Sequence, residues 1–258
     1  MIDTTAQPDH TSRFDGKGAL YAKARPGYAP GLLGYLRNTL RIPEGSVIAD
    51  VGSGTGIFTA QLLDCGYRVY AVEPNADMRK EAEKRLSGVP AFQSVNGTDR
   101  ATTLPDCSMD CVTAAQAFHW FDAAAFREEC ERILVPGGWA VLVWNVRDEA
   151  AECTQALAEL RRRYNPEFHG FSNGMNEEDV RAFFGGRCTV FRADNSQRYD
   201  RQGYRQRVLS SSYSLREDDG RYPEYLEEID RLFDRFASDG EMTVPVFTMA
   251  YCGRIGAG

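Results

Sequence analysis

Three glycines alternate with small polar residues in the sequence DVGSGTG, which spans residues 50–56 and follows the apolar run SVIA. Glycine has no Cβ, so it lets a ligand approach the backbone and adopts turn conformations that other residues avoid. Between a strand and a helix, such a turn leaves backbone N–H groups uncovered at the positive end of the helix. The pattern suits a bound carboxylate or phosphate, and it is also compatible with a tight turn that binds nothing.

Two acidic residues accompany the glycines. Asp50 lies two residues before Gly52, where its carboxylate can meet the ammonium group of a zwitterion or hold the turn through its N–H groups. Glu73 ends the next apolar run, YRVYAVE, 17 positions after Gly56. In nucleoside-binding α/β folds, a carboxylate at that place accepts hydrogen bonds from ribose hydroxyls. The two acids favour a ligand that combines a ribose with an amino-acid group.

The spacing of the glycines argues against two nucleotide-binding patterns. The dinucleotide pattern G-x-G-x-x-G requires Gly or Ala where this chain has Ile57. No G-K-[ST] follows the turn, which excludes the pattern of a triphosphate-binding loop.

The elements that must position these residues alternate between strand and helix. Short apolar runs predict strands, and the segments between them have helical periodicity. This rhythm predicts a doubly wound parallel sheet covered on both faces over residues 30–145. The predicted strands are 46–51, 67–73, 91–95, a segment within 109–118, and 139–145; the predicted helices are 30–40 with Pro30 at its start, 55–66 with a stop at Gly66, 75–86 capped by Asn75, and 122–134 ended by Pro136-Gly137-Gly138.

The remaining residues have a less regular pattern, which predicts helical additions over one edge of a single core. We expect helices at 152–164, 176–186, 201–215 and 222–240, a strand at 187–194, and one final strand at 242–254. The basic run at 161–163 is interpreted as the solvated face of a helix.

Composition limits the class of protein and its partners. The chain has 258 residues and a formal charge of −7, which disfavours a nucleic-acid binder that relies on overall charge. Seven cysteines without a C-x-x-C pair indicate buried free thiols in a reducing compartment and no metal site. The polar start lacks the apolar stretch of a signal peptide, and no apolar run approaches the roughly 20 residues of a membrane span. We therefore expect a cytoplasmic protein with no membrane partner.

Four motifs in order resemble a class I S-adenosylmethionine-dependent methyltransferase. They are VIADVGSGTGIFTAQLL, YRVYAVEPNADM, GTDRATTLPDCSMDCVTAAQAFHWFD and ILVPGGWAVLVW, and the resemblance covers roughly residues 14–147. Within that class the chain is similar to methyltransferase type 11 and to trans-aconitate-methyltransferase-like enzymes.

The resemblance implies a Rossmann-like, mostly parallel seven-stranded sheet with an antiparallel last strand and helical cap additions. It implies a single methyltransferase domain over 1–258: an N-terminal lid segment (1–29), a cofactor-binding core (30–150), and the last strands (151–258) with a helical cap insertion at about 200–240. It also implies S-adenosyl-L-methionine as cofactor, S-adenosyl-L-homocysteine as product, and a small-molecule acceptor. We expect a monomer or a homodimer.

The resemblance also assigns cofactor contacts. The loop around the methionine end would comprise Asp50, Gly52, Ser53 and Gly54, and Glu73 would accept the ribose hydroxyls. The other implied contacts are Pro74 and Met78 at the adenine, Thr98 and Asp99 at its edge, Gln116 and Ala117 near the sulfonium, and Tyr21 and Arg25 in the lid. Many relatives read G-D-A-E or G-T-A-E where this chain has Arg100, so the contacts there are open.

Methyl transfer from a sulfonium is an in-line displacement, so the protein mainly aligns the reactants and excludes water. His119 is the candidate general base or substrate-orienting group. The alternative is a structural histidine beside a Trp120 that walls the cofactor. The residues implied to line the acceptor pocket are Trp120, Trp144, Asn145 and Arg147. The helical region with Arg205, Arg207, Ser211 and Tyr213 is expected to cap this pocket. The arginines of that region would suit an acceptor that is a carboxylic acid.

Two other functions stay open. A cofactor-binding or regulatory module without catalysis would keep the same loop. An NAD-dependent oxidoreductase would share the sheet, although the glycine spacing counts against it.

Overall fold

The computed structural model describes residues 26–171, 176–211 and 213–255. Its first half alternates helices and strands: α1 (Pro30–Asn38), β1 (Val47–Val51), α2 (Ile57–Asp64), β2 (Arg68–Val72), α3 (Ala76–Leu86), β3 (Phe92–Val95), β4 (Met109–Ala115), a 3-10 turn (Phe118–Trp120), α4 (Ala123–Ile133) and β5 (Leu134–Arg147). Its second half contains α5 (Glu152–Tyr164), α6 (Glu177–Phe183), β6 (Thr189–Asp194), β7 (Gln197–Tyr199), α7 (Arg201–Leu209), α8 (Tyr222–Phe236), β8 (Met242–Val244) and β9 (Val246–Arg254).

Seven strands form one sheet in the order β3-β2-β1-β4-β5-β9-β6. The pairs from β3 to β5 are parallel, and β9 runs antiparallel to both β5 and β6. The predicted fold, a mostly parallel doubly wound sheet with an antiparallel last strand, is confirmed. The chain order reverses between β1 and β4, and ligands bind beyond the strand ends at such a switch point.

The core lies on both faces of this sheet because successive strand residues point to opposite faces. Ala49 and Trp144 belong to one buried cluster, whereas Ile48 and Val143 belong to the other. Burial on both faces requires continuous apolar runs, and this requirement is why the strands were readable from the sequence.

The helix boundaries follow local signals. Pro30 occupies the first turn of α1. The Asn75 side chain accepts a hydrogen bond from the N–H of Met78 and caps α3, which confirms that prediction. Gly66 lies just beyond α2 with a φ of 82°, a conformation that favours glycine.

A third apolar cluster lies outside the sheet. It joins α5, α7, α8 and the two-stranded β7–β8 sheet, through residues such as Leu157, Tyr204, Ile229 and Met242. We call this unit the cap. It differs from the predicted insertion at 200–240 because α5 is also part of it.

Three sequence predictions require correction. The expected single strand at 242–254 is broken: β8 pairs with β7, and β9 pairs with β5 and β6. Pro245 separates them, and proline lacks the N–H that a continuous ladder needs. The strand expected at 139–145 begins at Leu134, so the Pro136-Gly137-Gly138 segment lies inside β5, and α4 ends before it at Ile133.

The third correction concerns the basic run at the end of α5. Arg162 and Arg163 are exposed, but only 4% of the Arg161 surface is accessible. Arg161 lies four residues after Leu157 and three before Tyr164, so it shares their buried face. The interpretation of the run as a solvated face is wrong at this residue.

All seven cysteines are free, and four of them are buried: Cys111, Cys130, Cys153 and Cys252. Cys107 is exposed, so the expectation of burial does not extend to it. In the part of the chain that the structure describes, no helix combines the length and apolar character of a bilayer span.

Candidate functional site

The three glycines after β1 all have a positive φ, but their surroundings differ. A Cβ on Gly52 would lie 2.6 Å from the Cβ of Ala117, and one on Gly56 would lie 3.0 Å from Leu86. Around Gly54, a Cβ would meet no described atom within 4 Å. Gly52 and Gly56 therefore allow close packing within the protein, whereas Gly54 borders open space that a ligand can enter.

Glu73 lies directly against this turn. Its carboxylate oxygens accept hydrogen bonds from the N–H of Gly54 (2.9 Å) and the N–H of Asn75 (2.8 Å). Burial raises the pKa of Glu73, and the two N–H donors oppose that effect. A carboxylate has about four acceptor positions, so two remain for hydroxyl groups.

Asp50 has a different role from the predicted one. Its side chain is fully buried, and its two oxygens accept hydrogen bonds from the hydroxyls of Thr59 (2.6 Å) and Thr113 (2.9 Å). Burial raises its pKa to about 6. Asp50 therefore ties β1 to α2 and β4 beneath the turn, and it does not present a carboxylate to an ammonium group.

The turn between β2 and α3 is fixed by backbone contacts. Arg79 donates to the carbonyl oxygens of Glu73 (2.8 Å) and Pro74 (2.7 Å). The Met78 side chain is buried, and Pro74 is half-buried. This network fixes the turn that carries the two predicted adenine neighbours, Pro74 and Met78.

The loop after β3 meets the start of α4. Asp99 accepts a hydrogen bond from the N–H of Asp122 at 3.1 Å, and burial raises its pKa. Arg100, the residue that departs from the pattern of many relatives, forms an ion pair with the Asp122 carboxylate at 3.1 Å. Thr98 is exposed and accepts a hydrogen bond from the N–H of Ala101.

Gln116 turns the chain at the end of β4. Its φ of 55° lies in the left-handed region, which is unusual for a residue other than glycine. Its N–H donates to the carbonyl of Val143, and its side-chain Nε2 donates to the carbonyl of Asn145 at 3.2 Å. Ala117 then contacts Gly52, so the ends of β1, β4 and β5 meet here.

The 3-10 turn carries His119 and Trp120, whose ring centroids are 4.8 Å apart. His119 is half-buried and Trp120 is 38% exposed, so both lie at the edge of the site. Trp144 does not: it is fully buried, and its ring packs edge-on against Phe118 and Tyr251. The prediction that Trp144 lines the acceptor pocket is wrong, because its position in β5 points into the core.

Asn145 anchors the first described residues. Its Oδ1 accepts hydrogen bonds from Asn195 (2.9 Å) and Thr248 (2.7 Å), and its Nδ2 donates to the carbonyl of Gly27 (3.1 Å). Thr248 also accepts from the N–H of Ala29. This network is structural. No sequence pattern pointed to Asn195 or Thr248, because they lie 50 and 103 positions from Asn145.

Tyr21 and Arg25 lie outside the described residues. Arg147, at the end of β5, contacts the cap: its guanidinium lies over the Phe171 ring at 4.9 Å from the centroid. The sequence linked Arg147 to the acceptor but missed its neighbour Arg161, although the apolar spacing of α5 was a usable signal.

A metal site and a surface groove were the other candidates for a functional site among the described residues. No group of three or more His, Cys, Asp and Glu side chains there is arranged to hold a metal ion. A groove of about 400 Å³, lined by residues such as Trp139, Cys188 and Arg254, lies at the opposite end of β5 and β9.

The segment that contains the glycine turn and the parallel strands is similar to known proteins. Residues 49–142 match the family model described as a methyltransferase domain. This segment is therefore similar to a methyltransferase domain. The matched segment includes the last three residues of β1, the glycine turn, Glu73 and most of β5.

Two curated relatives align over longer stretches than this segment. The chain is 34% identical over 158 residues to an uncharacterised methyltransferase of Mycobacterium bovis, which covers 61% of this chain and 62% of the relative. It is 32% identical over 152 residues to an uncharacterised methyltransferase-like protein of Schizosaccharomyces pombe, with 58% of each chain covered. The chain thus spans about three-fifths of the length of these curated relatives.

Solved structures share the fold at lower identity. A candidate type II methyltransferase from Anaeromyxobacter dehalogenans has a TM-score of 0.64 and 21% identity, covering 90% of this chain and 98% of its own. A candidate S-adenosyl-L-methionine-dependent methyltransferase from Methanococcus maripaludis has a TM-score of 0.52 and 20% identity, covering 74% and 91%. These likenesses concern the fold.

Proposed function

We propose that this protein transfers the methyl group of S-adenosylmethionine to a small-molecule acceptor. The observation that carries the proposal is the pairing of Glu73 with Gly54 at the switch point of the sheet. The carboxylate lies 2.9 Å from the backbone N–H of the one glycine in the turn that borders open space. A ribose beside Glu73 and a methionine chain beside Gly54 fit that arrangement.

The residues of the site fit the cofactor chemically. Glu73 retains acceptor capacity for two ribose hydroxyls, and its position is fixed by the Gly54 and Asn75 N–H groups. Pro74 and Met78 flank it for the adenine. The ends of β1 and β4 meet at Gly52 and Ala117, where the methionine portion would lie.

When bound, the cofactor supplies an activated methyl group on a sulfonium. The protein residues then align the acceptor for in-line attack and exclude water. Aromatic faces favour a cation, so Trp120 at the edge of the site is placed to help bind the sulfonium end. His119, beside it, takes the acceptor's proton where the acceptor carries one.

Calorimetric titration separates the proposal from the oxidoreductase alternative. We expect S-adenosylhomocysteine to bind and NADH to give no heat of binding. Binding of NADH without binding of S-adenosylhomocysteine would contradict the proposed methyltransferase and favour an NAD-dependent oxidoreductase.

An acceptor screen with isotopically labelled donor separates an enzyme from a module that only binds the cofactor. We expect label in at least one small acidic acceptor. If the cofactor binds but no label transfers across the screen, the binding-module alternative is favoured.

The role of His119 is tested in the same assay. His119→Ala should lower the methyl-transfer rate by about 10²-fold if His119 is the general base. Binding of S-adenosylhomocysteine should be unchanged in this variant. An unaltered rate would remove the base from the proposal and leave His119 as a structural residue.

A further inference from the structure

The strands β6 and β7 continue one another along one edge of the protein. β6 is the last strand in the order of the seven-stranded sheet and pairs with β9, and β7 pairs with β8. The register does not shift between the two pairs: Asp194 lies opposite Phe247, and three residues further along each strand Gln197 lies opposite Val244. Residues 189–199 therefore form one extended edge, which is not paired with another strand on its other side among the described residues.

Every second residue of this edge directs its backbone groups outward. The N–H of Asn195 donates to the carbonyl of Val246 at 2.8 Å, so Asn195 faces the neighbouring strand. In an antiparallel ladder, successive residues alternate between facing the neighbour and facing away. The backbone N–H and C=O groups of the even-numbered residues from 190 to 198 therefore point away from β8 and β9. Such a row of backbone groups is a template for a further strand.

The side chains of these residues carry a charge pattern that is complementary to itself. Arg192, Asp194, Ser196, Arg198 and Asp200 are positive, negative, neutral, positive and negative in turn. An antiparallel second copy, with the two Ser196 residues opposite each other, places Asp194 against Arg198 and Arg192 against Asp200. Every charge of both copies then faces an opposite one.

Other registers oppose like charges. Because only every second residue faces outward, the second copy can move along the edge in steps of two residues. One such step in one direction places Arg192 against Arg198, and one step in the other places Asp194 against Asp200. Like charges directly opposite each other are destabilising. The charge pattern therefore selects the register with Ser196 on the axis.

The charged side chains of this edge are exposed, and two of them are held in position. The guanidinium of Arg192 lies over the Phe247 ring, 3.5 Å from its centroid. One carboxylate oxygen of Asp200 accepts a hydrogen bond from the N–H of Gly203 at 2.7 Å. Both groups have further donor or acceptor positions for a partner, and little ordering is needed when it binds.

We propose that residues 192–200 form an interface between two copies of this chain, which join as antiparallel strands about a two-fold axis at Ser196. A surface that meets itself across a two-fold axis must be complementary to itself, and this charge pattern is. That property favours a second copy over an unrelated extended peptide. The interface uses none of the residues assigned to the methyl donor, so the proposal does not depend on the proposed function.

Analytical ultracentrifugation of the full chain tests the assembly. We expect a monomer–dimer equilibrium with a Kd of about 10 µM, because a strand-to-strand contact buries little area. Sodium chloride at about 1 M should raise the Kd by about tenfold over that at about 0.1 M, since exposed ion pairs are screened. A chain that stays monomeric up to about 200 µM, or a dimer that salt does not weaken, would overturn the proposal. The charges would then protect the edge from pairing.

A charge exchange tests the register. Asp194→Arg and Arg198→Asp each place like charges opposite each other in a homodimer, so each should raise the Kd by about 100-fold. Mixed in equal amounts, the two variants again oppose unlike charges, and we expect a heterodimer with about the natural affinity. Absence of this heterodimer would overturn the proposal. Arg85→Glu reverses an exposed charge on α3 and should dimerise normally; an equal loss there would assign the effect to net charge and also overturn the interface.

Cross-linking locates the axis. Opposite residues in paired antiparallel strands have Cα atoms about 5.5 Å apart, within the range of a disulfide. With oxidised glutathione as oxidant, Ser196→Cys should therefore form a covalent dimer. The natural chain, which has an exposed Cys107, is the control and should not. A Ser196→Cys variant that dimerises in the ultracentrifuge but forms no more covalent dimer than the control would place the interface elsewhere and overturn the proposal.

Discussion

The glycine-turn edge and the inner face of the cap both bury charged side chains, but they satisfy them differently. Glu73 is 9% exposed and accepts two backbone N–H groups, and Asp50 is fully buried and accepts two hydroxyls. Arg161 is 4% exposed and contacts neutral groups, and its Nε is unsatisfied. The two carboxylates accept hydrogen bonds from protein donors, whereas the Arg161 Nε has no partner among the described residues.

The difference predicts how each region responds to substitution. Carboxylates held by backbone donors are in position before a ligand arrives, so binding requires little further ordering of the protein. The buried Arg161 guanidinium has no hydrogen-bond partner for its Nε among the described residues. We therefore expect substitutions at the glycine turn to change folding or cofactor affinity, and replacement of Arg161 by an apolar residue to leave stability unchanged or raise it.

The largest expected effect separates two glycines of the same turn. Gly52→Ala should lower the free energy of unfolding by about 2–4 kcal/mol, because its Cβ would lie 2.6 Å from Ala117 at a φ of 69°. Gly54→Ala should cost about 1 kcal/mol of stability, because only its backbone conformation is strained. Its Cβ would instead weaken binding of S-adenosylhomocysteine.

Chemical denaturation and calorimetry of both variants check this prediction. Equal losses of stability would mean that the space beside Gly54 is not free. Unchanged cofactor affinity in Gly54→Ala would show that the ligand does not approach there.

Glu73→Ala tests the carboxylate at the same edge. We expect affinity for S-adenosylhomocysteine to fall by about 100-fold, since the variant loses charge-assisted hydrogen bonds to ribose and the anchor of the Gly54 N–H. Glu83→Ala, on the exposed side of α3, is the control and should bind normally. Calorimetry that finds equal affinity for both variants would remove Glu73 from the ribose role.

Asp50 tests whether hydrogen bonds fully offset the burial of a charge. Its pKa is raised to about 6, so its ionisation costs stability as pH rises from 4 to 6, and this cost persists at pH 7. Asp50→Asn removes it. The free energy of unfolding of the variant minus that of the natural protein should therefore be about 2 kcal/mol larger at pH 7 than at pH 4. The variant thus gains stability relative to the natural protein as the pH rises.

Urea titrations at the two pH values measure this difference. If the difference in unfolding free energy between Asp50→Asn and the natural protein does not vary with pH, or if it favours the variant more at pH 4, the raised pKa of Asp50 is contradicted.

The smallest effect is expected on the outer surface of the cap. Arg205 is paired with Asp230 and partly exposed, so Arg205→Gln should cost about 0.5 kcal/mol or less in stability. Urea titration measures this difference. A loss of stability well above about 1 kcal/mol would contradict the treatment of this pair as a surface ion pair.

Local signals made much of the core predictable. The strands are buried on both faces, so their apolar runs stood out, and Asn75 and Pro30 occupy the positions that capping preferences predict. Glu73 followed from its place at the end of the second strand. Pro245, a proline within an apparent strand, was a visible signal for the break between β8 and β9. The pairing of β8 with β7 was not predictable, because it depends on tertiary contacts between segments about 45 residues apart.

The sequence by itself determined the alternation of strands and helices, the glycine turn, and the acid at the end of β2, since each depends on residues close together in the chain. Only the tertiary structure decided that Asp50 is buried beneath the turn, that Trp144 points into the core, and that Asn145 holds Gly27. It also decided that the guanidinium groups of Arg147 and Arg161 lie over the same Phe171 ring. These outcomes depend on desolvation and on contacts between distant segments, which only the packed molecule defines.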